Sequence, residues 1–172
     1  MLLQCLRRCL RMEISDLSNS ELIASYGRVI KELKDRKIIR SKNVVGDLGE
    51  YLAVDFYNKT SGLPRLQFAP PGTKNIDAIS INGERYSIKA STSTTTSVFY
   101  GLNQPGIEEP DQQKFEYVIL VLFDEDLNLQ RINEITWIQF LEHKRWHSRM
   151  SAWNLSVNRN LLENTRTIYI RQ

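Results

Sequence analysis

GTKNIDAISINGERYSIKAS, residues 72–91, places two short apolar runs, Ile76 to Ile81 and Arg85 to Ser91, on either side of Asn82-Gly83. Asn-Gly between alternating apolar positions is a strong hairpin signal. Loop length decides which side chains share a face. A two-residue turn pairs Asp77 with Ile88 and sends Asp77 and Lys89 to opposite faces, because side chains alternate with period two. A three-residue loop, Ile81-Asn82-Gly83 with Gly83 left-handed, pairs Ser80 with Glu84 and Asp77 with Ser87. Asp77, Ser87 and Lys89 then lie on one face. The three-residue loop, or a compensating bulge near Asp77, is the expectation.

Upstream, Ser18-Asn-Ser-Glu21 forms a capping box before Leu22, Ile23, Tyr26, Val29, Ile30 and Leu33 at helical spacing. That helix is expected to end near Lys37. A second helix starts after Asn43, contains GDLGEYLA (46–53) and stops by Asn58 to Gly62. Gly46 and Gly49 weaken it by about 1 kcal/mol each relative to Ala, which implies a close neighbour on that face. Leu66 to Phe68 reads as a short strand. Downstream, Ser91 to Ser97 are seven consecutive hydroxyl residues, and Asn103 to Gln113 reads as an exposed loop. Tyr117 to Phe123 is continuously apolar, as in a strand buried on both faces. Leu129 to Ile132 is its expected partner, followed by a helix from Ile135 to His143. A short segment from Trp153 to Val157, a helical turn near Leu161 and a strand from Thr167 to Ile170 end the chain. The order predicts an α/β sandwich with a mixed sheet.

At 172 residues the expectation is one domain, residues 13–172, behind an N-terminal basic arm, residues 1–12. The 41% hydrophobic and 25% charged composition argues against disorder, and no apolar run spans a bilayer. The net charge of +3 comes from Arg7, Arg8 and Arg11, which leaves 20 basic against 20 acidic residues in the body. Any basic surface is therefore local. Both cysteines, Cys5 and Cys9, sit one helical turn apart in the arm, where a disulfide would staple nothing, so a reducing cytoplasm is expected. The arm reads either as a membrane-touching or targeting segment or as upstream reading of a gene whose start is Met12.

An acid on a helix, an acid on one strand and a lysine on its hairpin neighbour suit metal-dependent phosphodiester cleavage. Carboxylates hold a hard cation that polarises phosphate and acidifies a bound water, while an ammonium orients the water or offsets developing charge. On Glu50, Asp77 and Lys89 the chain resembles the PD-(D/E)XK nuclease superfamily over about Asn43 to Phe123. The resemblance implies a restriction-endonuclease-like three-layer sandwich, a central mixed β-sheet flanked by helices. It also implies metal held by Asp77, Glu50 and the main-chain carbonyl of Ile88, with Lys89 catalytic and Mg²⁺, or Mn²⁺ in its place, as cofactor. Ser87 stands where the family's second acid stands. Glu50, Glu84 swinging in, or water would have to make good that difference.

Expected DNA contacts are Lys74, the hydroxyl residues Ser91, Thr92, Ser93 and Thr94, and Lys144, Arg145 and Arg149 in an acid-free segment interleaved with Trp146 and Trp153. His143 and His147 have no third ligand nearby, which argues against zinc. The implied partners are double-stranded DNA, a second subunit matching a palindromic target, and a companion DNA methyltransferase, with no membrane. The competing reading is a nuclease-like module that binds DNA or a protein without cutting.

Overall fold

Ser18 opens the first helix as its sequence dictates. Its hydroxyl accepts from the Glu21 amide at 3.4 Å, and Glu21 Oε2 accepts from the Ser18 amide at 2.9 Å. A computed structural model describes residues 13–172. The expectations for Cys5, Cys9, the arginine arm and a start at Met12 lie outside the described residues. The chain divides into two units, one ending at Arg40 and the other running from Ser41 to Gln172. The first contains helix α1 (Asn19–Asp35), with Lys31–Asp35 and Glu32–Arg36 ion pairs one turn apart.

The second unit begins with α2 (Val44–Lys59), capped by Asn43, whose Oδ1 accepts from the Gly46 amide at 3.2 Å. The sheet strands are β1 (Leu66–Phe68), β2 (Ala78–Ser80), β3 (Arg85–Ser91), β4 (Tyr117–Phe123) and β5 (Leu129–Thr136). After them come α3 (Trp137–His143), the β6 (Lys144–His147) and β7 (Ala152–Leu155) ribbon, α4 (Arg159–Glu163) and β8 (Arg166–Ile170). The six-stranded order is β1-β2-β3-β4-β5-β8. Neighbours pair antiparallel except β3 and β4, which are parallel. A parallel pair needs a long crossover, and residues 92–116 supply it without a helix.

Central β4 is apolar throughout because both of its faces are covered. Ile119 and Val121 pack with Ala53, Tyr57 and Ile88 on the α2 side. Val118 and Leu120 pack with Phe99, Phe115, Phe140 and Leu155 on the other. Each such side chain contributes about 1.5–3 kcal/mol through burial. A Cβ at Gly49 would lie 2.3 Å from the Ala90 Cβ, so the glycine expected to face a close neighbour does so and lets α2 settle onto β3. At the sheet edge, the Asn58 carboxamide donates to the Leu66 carbonyl at 2.9 Å and accepts from the Leu66 amide at 2.8 Å.

Several boundaries differ from the sequence expectation, among them β2, which is confined to Ala78–Ser80. Strand β5 continues to Thr136 and the helix starts at Trp137, not Ile135, because Thr136 caps it reciprocally with Gln139. Strand β6 was not expected at all. It pairs with β7, and Trp146 packs edge-on against Trp153 with ring centroids 5.2 Å apart. His143 therefore ends α3 while His147 ends β6, so the two do not share a helix face. No described helix is long and apolar enough to cross a membrane.

Candidate functional site

The hairpin loop is the three-residue form. Ala78 pairs with Tyr86 and Ile79 with Arg85, the Ser80 amide donates to the Glu84 carbonyl at 2.8 Å, and Gly83 has φ +89°. Glycine takes this left-handed conformation without the Cβ penalty other residues meet. Beyond the last paired residue of β2, the Asp77 carboxylate turns onto β3. Its Oδ2 accepts from the Ile88 amide at 2.7 Å and from the Ser87 hydroxyl at 3.2 Å. Among the described residues Oδ1 has no hydrogen-bond partner. Within a strand, the N–H and C=O of one residue point the same way. The Ile88 carbonyl therefore points to the Asp77 side of β3 as well.

Ser87 and Lys89 share the face opposite Ile88, which packs against α2. The Lys89 ammonium lies 4.9 Å from the centroid of the Phe99 ring, a cation–π distance that steadies the long side chain. Phe99 is held there by the crossover: its amide donates to the Trp153 carbonyl at 2.6 Å, and the Trp153 amide donates back at 3.2 Å. Nothing in the sequence marked Phe99 as the support of Lys89, because the contact needs the crossover to bridge to β7.

Asp77, Ser87, Ile88 and Lys89 thus come together. Glu50 comes from the opposite layer, half-buried on α2 next to Gly49, the glycine that lies against Ala90 of β3. Glu84 cannot swing in. It lies on the α2 face with Tyr86, and its Oε2 accepts from the Ser80 hydroxyl at 2.8 Å. Among the described residues no three His, Cys, Asp or Glu side chains gather as a metal-holding group.

The expected DNA contacts divide into three groups. Lys74, Thr92, Ser93, Thr94, Arg145 and Arg149 are exposed. Ser91 is buried, and its hydroxyl is spent locally on the Thr95 carbonyl at 2.7 Å. Lys144 is 14% exposed, ion-paired with Asp111 and stacked 4.2 Å from the Trp153 ring centroid. It ties the crossover loop to the ribbon and is not presented to solvent. The hydroxyl run is partly strand-like: Thr95 bridges Ser156, and the Thr96 amide donates to the Leu155 carbonyl at 3.0 Å. This brings Thr92 to Thr94 into the layer that carries the ribbon.

No family model matches the chain, and no curated protein matches it.

Proposed function

We propose that the Ser41–Gln172 unit is a metal-dependent endonuclease of restriction-endonuclease-like fold that hydrolyses phosphodiester bonds in double-stranded DNA. The observation that carries this reading is the Asp77 carboxylate docked on the Ser87–Ile88 step of β3, with Lys89 on the same face as Ser87. The donor set fits Mg²⁺, which keeps several waters and needs only one or two carboxylates. The open Oδ1 of Asp77 and the Ile88 carbonyl would hold it, and in this reading Glu50 on α2 is the second acid. Bound there, Mg²⁺ supplies phosphate polarisation and a more acidic water.

The chain's own groups do the rest. The Ile88 amide and the Ser87 hydroxyl orient the Asp77 carboxylate by donating to it. Lys89 orients the attacking water and offsets charge developing on the phosphate oxygens. Arg145, Arg149, Lys74 and the exposed threonines would contact the DNA backbone. A symmetric dimer suits a palindromic site, and a partner methyltransferase suits a restriction role.

The Ser87 hydroxyl favours a second reading. It donates to Asp77 where the family has an acid, so one negative charge is missing and one Asp77 lone pair is taken. A DNA-binding module without cleavage would tolerate that loss.

Plasmid incubation with Mg²⁺ or Mn²⁺, with EDTA, and with Asp77→Ala and Lys89→Ala separates the two. Cleavage that EDTA and both substitutions abolish is expected. Cleavage surviving both substitutions overturns the site assignment. Binding without cutting on methylated and unmethylated DNA favours the module.

A further inference from the structure

On the α2 face, at the amino-terminal ends of β3 and β4 and away from Lys89, lies a cavity of about 430 Å³. Leu63, Glu84, Tyr86, Tyr117, Glu134 and Arg166 line it. Tyr86 and Tyr117 stack, with ring centroids 5.1 Å apart and planes 21° from parallel. Glu134 is 6% exposed. Its Oε2 accepts from the Tyr57 hydroxyl at 2.7 Å and its Oε1 from Arg166 Nη1 at 3.2 Å. Tyr86 is only 1% exposed, yet its hydroxyl has no hydrogen-bond partner among the described residues. Tyr86 lines the cavity with this hydroxyl unengaged, so its oxygen can accept from a donor that enters there.

The charge of that occupant follows from the lining. Two carboxylates face one guanidinium, and the guanidinium is already engaged with Glu134. The Tyr86 hydroxyl registers this balance. Burial pushes its pKa up, the Glu134 and Glu84 charges push it further, and Arg166 offsets them only in part. Among the described residues Glu84 accepts a side-chain hydrogen bond from Ser80 through one oxygen, and its other oxygen is open to a donor.

We propose that this cavity binds a small organic cation, a protonated primary amine. Its N–H groups would donate to Glu84 and the Tyr86 oxygen, and its methylenes would lie along the Tyr117 ring and Leu63. Aromatic faces attract such a cation in addition to the carboxylate. The site is independent of Asp77 and Lys89, so it stands or falls apart from the nuclease reading.

The test is titration of the full chain with n-butylammonium, followed by NMR of the tyrosine ring signals, with 1-butanol as the neutral comparison. Tyr86→Phe identifies the Tyr86 signal. Saturable shifts of the Tyr86 and Tyr117 rings are expected with the ammonium and not with the alcohol. Binding should weaken at least tenfold in Glu84→Gln and in Tyr86→Phe, and remain unchanged in Asp77→Ala. Spermidine and Nα-acetyl-lysine methylamide separate the sources of the amine: tighter binding of the first assigns a free polyamine, of the second a lysine side chain. Absence of saturation, equal binding of 1-butanol, or full affinity in a folded Glu84→Gln protein overturns the proposal.

Discussion

Gly49→Ala tests how closely α2 must approach β3. The added Cβ would stand 2.3 Å from the Ala90 Cβ, 3.4 Å from its Cα and 3.6 Å from the Val121 Cβ. Carbon atoms in contact sit about 3.5–4.0 Å apart, so helix and strand must separate by more than about 1 Å. The obstacle is the first carbon of a strand side chain and has no rotamer to escape into. Overpacking of this kind costs about 1–3 kcal/mol, here near the top of that range, against about 1 kcal/mol gained from replacing a helical glycine. The expected outcome is a net loss of about 2 kcal/mol in urea unfolding, read as a lower midpoint with unchanged slope. Ala90→Gly removes the obstacle. The double variant should recover more than 1 kcal/mol relative to the sum of the single changes. A Gly49→Ala protein as stable as the parent, or strictly additive changes, would refute the close-approach argument.

Two further outcomes follow from ion pairs. Arg85 donates to both oxygens of Glu116 and, through its amide, to Oε2, which holds the Glu116 carboxyl below its ordinary value of 4.5. A carboxyl depressed on folding stabilises above its unfolded pKa and loses that contribution as pH falls through the folded value. Glu116→Gln should therefore cost about 0.5–1 kcal/mol at neutral pH after allowance for solvent, with the gap to wild type closing below about pH 4; an unchanged gap at pH 3 would contradict this. Lys144→Met leaves Asp111, 6% exposed at its side chain, without its cation and should cost about 3 kcal/mol in urea unfolding, whereas an added Asp111→Leu should restore most of it. If the single variant unfolds like wild type, the Lys144 ammonium is not confined to the interior.

What the sequence made legible was local. The Ser18 box, the Asn43 cap and the Asn82-Gly83 loop depend on residues within a few positions of each other, and their register follows from loop length. The face shared by Ser87 and Lys89 follows from the same arithmetic. Strand β6 was not legible, because Lys144-Arg145-Trp146-His147 lacks the apolar alternation that marks a strand and exists as one only by pairing with β7. The role of Lys144 was hidden for a related reason: its partner Asp111 is distant in sequence, in a loop that reads as exposed. Glu134 lay beyond the expected end of β5, so its burial against Tyr57 had no signal short of the longer strand.

The Asn58 carboxamide has a consequence for how molecules of this kind meet. A side-chain amide carries the same donor and acceptor as a peptide unit, so at Leu66 it impersonates a neighbouring chain and closes the hydrogen-bonding row. A second copy arriving flank to flank finds that position taken. Growth by ladder extension is thereby discouraged on this border, and encounters between copies are steered toward contacts made by side chains.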